Sequence, residues 1–304
     1  MSLLVIGTVA FDAIETPFGK TDKIVGGAAT FASLAAAYFY DQVKIVAVVG
    51  DDFPQSEIAD LNAHHINTDG LQVKAGEKSF FWAGKYHNDM NSRDTLVTEL
   101  NVLADFDPII PASYQDCEFL MLGNLTPQVQ QTVISRLNTR PKLIVMDTMN
   151  FWMDIALDDL LKTITMVDVL TINDAEARQL SGEYSLVKAA HKILMMGPKY
   201  LIIKKGEHGA LLFHEDKIFA APALPLAEVF DPTGAGDTFA GGFIGYMAKV
   251  GTVNFNNMKN AIIYGSALAS FCVEKFGTEK IRNLSQAEIA ARVQEFVSLA
   301  KFEI

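Results

Sequence analysis

The chain has 304 residues, half of them hydrophobic and 20% charged, with a formal net charge of −11 and an isoelectric point near 5.0. This is an ordinary soluble globular composition, with enough chain for a large core. It argues against a general binder of nucleic acid or of anionic membranes, because no basic stripe is present and Lys204-Lys205 is an isolated pair.

Cys117 and Cys272 lie far apart in apolar settings, which reads as two buried free thiols in a reducing compartment. No Cys/His spacing suggests a zinc site. Met1 to Ala10 is too short and too uncharged for a signal peptide. No run reaches the roughly 18 apolar residues of a membrane span. These features predict a cytoplasmic protein.

In chain order, Leu3-Leu-Val-Ile6 is a continuous apolar run ending at Gly7, the pattern of a buried parallel strand. Thr8 to Asp12 leave its C-terminal end, where open α/β sheets bind ligands. Asp12 fits either a turn acid or a ligand contact. Ile24-Val25 leads into Gly26-Gly27 and then an alanine-rich helix from Ala28 to Tyr40, which carries Phe31. Lys44 to Val49 is a second buried strand, and Phe53 to His64 a helix.

Glu77 to Tyr86 alternates, with Phe80, Trp82 and Tyr86 on one face and Phe81, Ala83 and Lys85 on the other. His87 to Arg93 is a polar turn, after which Thr95 to Thr98 resumes the strand. With Asp12 to Lys23, these segments predict a small separate sheet over the site.

Strands follow at Phe119 to Leu122, Leu143 to Met146 and Val169 to Ile172, with helices at Gln128 to Leu137 and Asp159 to Met166 between them. Alternation with short links predicts parallel crossovers. Asn173-Asp-Ala-Glu176 enters a helix and fits a cap with acidic first-turn residues. Tyr200 to Lys204 and Ala210 to Phe213 form a hairpin about Lys205, Gly206 and Gly209. Asn257 to Val273 and Ser285 to Phe302 are helices, the latter with Ser285 and Glu288 as a capping box. There is no internal repeat and no strong linker. Residues 1–304 read as one domain, with lid segments at about 12–25 and 77–102.

The stretch Asp231-Pro-Thr-Gly-Ala-Gly-Asp-Thr-Phe-Ala-Gly-Gly-Phe243 carries the most information. Pro232 breaks an extended approach, and Gly234-Ala235-Gly236 fall where a helix begins. Free N–H groups there, with the helix dipole behind them, form an anion site. Asp237 lies in the same turn. A carboxylate beside such a site suits a base that activates a nucleophile while the amides hold developing charge. A plain Gly-rich strand-to-helix turn fits the glycines equally well. The third glycine of a dinucleotide fingerprint is missing, since Phe239 stands there.

Those thirteen residues closely resemble the C-terminal signature of the ribokinase-like (PfkB) family of sugar and nucleoside kinases. Gly7 to Asp12, Gly26-Gly27, Asn173 to Glu176 and Lys205 to Gly209 stand in the same family order. The resemblance implies an α/β fold: a three-layer α/β/α sandwich with a mostly parallel central sheet and a small β-sheet lid, often the dimer contact. It implies an ATP-dependent, Mg²⁺-requiring kinase acting on a hydroxyl of a sugar, normally primary, with Asp237 as general base and Gly234, Ala235 and Gly236 as the anion hole. Asp12, Gly26, Gly27 and the position of Phe31 would meet the acceptor. Many members have Asn where Phe31 stands, so the usual sugar contacts change here. Asn173, Lys205, Gly206 and Gly209 would lie by the nucleotide. Glu176 would order Mg²⁺ through water, and Asp231 with Thr233 a monovalent cation, often K⁺. Phe11, Phe31, Phe81 and Trp82 leave a nucleoside acceptor open. Arg93 is either solvated or substrate-facing. A catalytically silent sugar- or nucleotide-binding regulator is the alternative of a different class.

Overall fold

The computed structural model describes residues 2–301. The first third holds β1 (Leu3–Ile6), β2 (Ala10–Thr16), β3 (Gly19–Lys20), β4 (Ile24–Gly26), α1 (Ala28–Ala37), β5 (Val43–Gly50), α2 (Gln55–Ala63), β6 (Ile66–Lys74), β7 (Phe81–Tyr86) and β8 (Arg93–Glu99). The middle holds β9 (Phe119–Leu122), α3 (Pro127–Ser135), β10 (Leu143–Asp147), α4 (Asn150–Ile155), α5 (Leu157–Ile164), β11 (Val169–Asn173), α6 (Asp174–Ser181) and α7 (Leu186–Leu194). The last third holds β12 (Tyr200–Lys204), β13 (Ala210–His214), β14 (Lys217–Ala221), α8 (Ala235–Val250), α9 (Phe255–Cys272) and α10 (Gln286–Ala300).

Nine strands form the central sheet in the order β14-β13-β12-β11-β10-β9-β1-β5-β6. It is parallel from β12 to β6 and antiparallel in the β12–β13–β14 hairpins. Side-chain alternation explains why the apolar runs are continuous. Leu3, Val5, Phe119, Met121, Leu143 and Val145 face one core with α1, α8 and α9. Leu4, Ile6, Leu120, Leu122, Ile144 and Met146 face a second core on the other side. Helices therefore cover both faces, as a parallel sheet requires.

A second sheet of five strands runs β3-β2-β7-β8, with β4 also paired to β2. β2 and β7 are parallel, so Asp12 stands beside Trp82 and Glu15 beside Lys85. β8 is antiparallel to β7 and carries a bulge: Val97 pairs with Ala83, but Thr95 pairs with Gly84.

Several boundaries differ from the sequence reading. The alanine-rich helix stops at Ala37 instead of Tyr40, and the alternating strand begins at Phe81 instead of Glu77. Glu77 and Lys78 lie against Gly50, whose added Cβ would stand 2.2 Å from the Glu77 carbonyl. The terminal helix ends at Ala300, and Phe302 lies outside the described residues. β6, α4, α7 and β14 have no counterpart in the sequence reading. β6 mixes buried and exposed residues without strict alternation and contains Asp69-Gly70, which reads as a turn. Among the described residues, no helix is long and apolar enough to cross a membrane.

Candidate active site

Gly234 caps α8 in the left-handed conformation, φ 74°. Glycine is needed twice over, for the backbone and for space: a Cβ here would stand 2.5 Å from three atoms of the Phe31 ring. Phe31 is 1% exposed. Its ring is thus packed under the glycine turn in the core, which is not where the sequence reading set it, against the acceptor. The Ala235 amide donates to the Pro232 carbonyl at 3.2 Å. The amides of Gly236 and Asp237 fall at positions for which a helix has no acceptor, so of the three residues expected to hold an anion only these two keep that geometry.

Three successive strand ends meet beneath this turn: Asp147 of β10, Asn173 of β11 and Lys204 of β12. Lys204 Nζ donates to both Asp147 carboxylate oxygens, at 3.0 and 2.8 Å. It would lie 3.2 Å from a Cβ on Gly236. Burial opposes the charge on Lys204, but Asp147 and Glu176 outweigh it and raise its pKa. The sequence reading singled out Lys205. The structure brings Lys204 to the cluster, while Lys205 closes the hairpin through its amide, which donates to the Gly209 carbonyl at 2.8 Å.

Asn173 and Glu176 form a reciprocal capping box. The Glu176 amide donates to Asn173 Oδ1 at 2.8 Å, and the Asn173 amide to Glu176 Oε2 at 2.7 Å. The cap reading is therefore realised, and it also fixes the Glu176 carboxylate near Lys204 and Asp147. Burial pushes Glu176 up to about 7, against the pull of Lys204. Burial and the charge of Asp147 push Asp237 to about 7, with Lys204 and Arg93 pulling it down.

Asp12 is 5% exposed, and a Cβ on Gly26 would overlap its carboxylate. Burial, then the charges of Asp231 and Asp237, push it up to about 7. Gly27, φ 93°, starts α1 with its Cα facing the Thr8 carbonyl. Asp231 is fully buried. Its two oxygens accept the amides of Thr233 and Gly277, each at 2.8 Å, and burial raises its pKa. The Thr233 hydroxyl donates to Tyr86 Oη at 3.2 Å, which ties the lid to the loop before Gly234.

The inner face of the lid follows from register. Asp12, Trp82 and Tyr86 share it, and the bulge adds Thr95 and Arg93. Trp82 Nε1 donates to Thr95 Oγ1 at 3.3 Å, and the Arg93 guanidinium lies 5.7 Å from the Trp82 ring centroid. The indole folds over Gly84. Phe81 lies on the opposite face with Phe11, which packs on Phe53 with centroids 5.3 Å apart. The lid tip, the turn after β7, reaches the β12–β13 hairpin: Asn91 Oδ1 would meet a Cβ on Gly206 at 2.7 Å.

The donor sets fit the ions in different degrees. Among the described residues no group of three or more His, Cys, Asp or Glu could hold a metal. Two carboxylates, Glu176 and Asp147, suit an Mg²⁺ that keeps water and takes phosphate oxygens. Asp231, buried among neutral donors, suits a cation. The Thr233 carbonyl already accepts the Cys272 thiol at 3.6 Å. Asp147, Lys204 and Tyr86 were missed by sequence reasoning. The only signal for Asp147 and Lys204 is a charge closing an otherwise apolar strand, whereas alternation places Tyr86 on the Trp82 face without giving it a role.

Comparison with known proteins bears on the family and the fold. The pattern of pfkB family carbohydrate kinases matches residues 2–283. A cytidine kinase of Thermococcus kodakarensis is 32% identical over 250 residues, covering 80% of this chain and 87% of the relative. A nucleoside kinase of Methanothermobacter thermautotrophicus is 25% identical over 309 residues, 91% of each chain. The solved structure of Methanocaldococcus jannaschii nucleoside kinase superposes with a TM-score of 0.76 at 20% identity, over 97% of this chain and 99% of that one.

Proposed function

The chain belongs to the pfkB family of carbohydrate kinases and is a sugar or nucleoside kinase, and on that premise we propose that its acceptor is a nucleoside, phosphorylated by ATP on the primary ribose hydroxyl. The observation that carries this choice is Trp82, an aromatic surface beside Asp12 on the lid face turned to the catalytic loop. A base stacks on the indole while the Asp12 carboxylate accepts from ribose hydroxyls. The cytidine and nucleoside kinases among the relatives support the same reading.

In the proposed mechanism Asp237 takes the hydroxyl proton as the oxygen attacks the γ-phosphorus. One O–P bond forms, the bond to the β-phosphate oxygen breaks, and that oxygen leaves with the electron pair on ADP. The amides of Gly236 and Asp237 hold the transferring oxygens. Lys204 supplies positive charge beneath them, and its pairing with Asp147 fixes where that charge stands. Mg²⁺ near Glu176 would neutralise the phosphates. The hairpin about Gly206 and Gly209 would lie by the nucleotide, Gly206 admitting the lid tip and Gly209 passing the Ala221 carbonyl, and Asn173 holds Glu176 in place. Gly26 and Gly27 leave room for Asp12 and the acceptor. The lid keeps water from competing as acceptor.

Asp231 is the proposed anchor of a monovalent cation, K⁺ in the first instance, which would firm the loop between Thr233 and Gly277. A rise in Tm with K⁺ over Li⁺ supports this, and no difference removes it. The edge strand β8, with Leu96 56% exposed, is the proposed homodimer contact, tested by sedimentation. The two buried free thiols fit action in the cytoplasm.

The deciding experiment measures ATP consumption with Mg²⁺ against pyrimidine and purine nucleosides, ribose and other free sugars. Turnover with nucleosides at least 10-fold above any free sugar supports the reading. The reverse order returns the acceptor to a free sugar held by Asp12.

A further inference from the structure

The cleft is rich in acids. Asp12, Asp147, Glu176, Asp231 and Asp237 surround the α8 turn, and the one lysine among them, Lys204, is held by both oxygens of Asp147. A polyphosphate entering such a site needs a cation that is not already engaged. Arg93 forms no ion pair with a carboxylate among the described residues. It stands at the start of β8 opposite Tyr86, whose hydroxyl touches Thr233 next to Gly234. It overlies Trp82 at 5.7 Å. The bulge between Val97 and Thr95 turns it to the inner face with Asp12. Its charge reaches both Glu176 and Asp237, which lie on the donor and acceptor sides of the transfer path. The lid tip resting on Gly206 holds this edge of the lid over the donor side.

We infer that Arg93 is a catalytic residue supplied by the lid: its guanidinium binds two oxygens of the γ-phosphoryl group and neutralises them during transfer. This rests on the kinase reading above but not on the identity of the acceptor. A guanidinium suits the role because it offers paired donors in a fixed plane and stays charged throughout. The stacked indole limits its freedom before the phosphate arrives. Bond making and breaking are unchanged, and Arg93 neither gives nor takes a proton.

The test has two arms. The first needs no acceptor: Kd is measured for ADP and for a non-hydrolysable ATP analogue, with wild type, Arg93→Ala and Arg93→Lys. The alanine variant should bind the analogue about 10-fold more weakly and ADP unchanged, since only the analogue carries the γ-phosphate. Unchanged ADP affinity also certifies the fold. Equal affinity of wild type and Arg93→Ala for the analogue, or an equal loss for both nucleotides, overturns the proposal. The second arm is turnover on an active acceptor. Arg93→Ala should lose about 10²–10³-fold in kcat with acceptor KM within about 3-fold, Arg93→Lys should recover less than a tenth of the lost rate, and free guanidinium should partly rescue the alanine variant. Lys85→Ala, on the outer face, is the control for lid charge. A kcat within about 3-fold of wild type for Arg93→Ala overturns the assignment. A wild type inactive on every acceptor would count against the kinase reading alone, and the first arm would still decide Arg93.

Discussion

In the nine-stranded sheet β1, β9 and β10 are buried at every position, with helices on both faces. In the five-stranded sheet every residue of β8 is exposed. The candidate site draws groups from both regions. Asp147, Lys204, Glu176 and Asp237 stand on strand ends and helix starts whose backbone is locked by the ladder and two cores. Trp82, Tyr86 and Arg93 stand on the strands β7 and β8 of a sheet that is anchored through β2, where Phe11 packs on Phe53, and whose far edge meets the rest through Tyr86 on Thr233 and Asn91 on Gly206. Groups that must meet developing charge with little error lie where the chain cannot shift. Groups proposed to select and enclose the acceptor lie where it can.

Substitutions in the two regions should therefore fail differently. The largest effect belongs to Asp237→Asn in the floor: kcat should fall about 10²–10⁴-fold with nucleotide affinity retained, read by steady-state rates beside equilibrium binding. Turnover near wild type would take the base elsewhere. Next comes Phe31→Ala, which should cost about 3–5 kcal/mol of stability in denaturant titration, because the ring fills the space against Gly234. If it instead raised acceptor KM at unchanged stability, Phe31 would belong with the lid. Trp82→Ala should do what Phe31→Ala does not: raise acceptor KM about 10-fold, with Tm shifted by less than about 2 °C.

The smallest expected effect concerns pH. Asp12, Glu176 and Asp237 each have a folded pKa of about 7, above the usual carboxylate value. The native state then keeps protons that the unfolded chain has already lost, so these groups favour the fold at acid pH, and that contribution is lost as pH rises through about 7. Asp237→Asn should raise Tm at pH 8 by about 2–4 °C, with the gain fading toward pH 4. For the wild type, kcat/KM should rise with pH through about 7 as the base loses its proton. A floor without buried acids would show neither trend.

Much of the floor is legible in the sequence. Continuous apolar strands ending in glycine or a charge, and the glycine turn before Asp237, dictate the sheet and the left-handed start of α8 by local rules. The Lys204–Asp147 pair is not legible, because it needs β10 and β12 to flank β11, a long-range fact about strand order. Phe31 misleads for the same reason: its packing partner, Gly234, lies far along the chain. On the lid, alternation places Trp82 and Tyr86 on one face correctly, but no local rule announces the bulge that brings Arg93 to join them.

That bulge decides the sign of the charge on the inner face of the lid, above the proposed place of the phosphates. With one extra residue looped out, Arg93 faces Tyr86 and Asp94 faces Lys85. Were Leu96 paired in an unbroken ladder, every position before it would change sides, and Asp94 would look inward where Arg93 now does. The composition of the strand would be untouched, yet an anion would stand where the transferred group passes. The lid therefore stores its polarity as the parity of a register. Deleting Leu96 keeps that parity and should be tolerated, whereas exchanging Arg93 with Asp94 inverts it without altering the net charge of the protein.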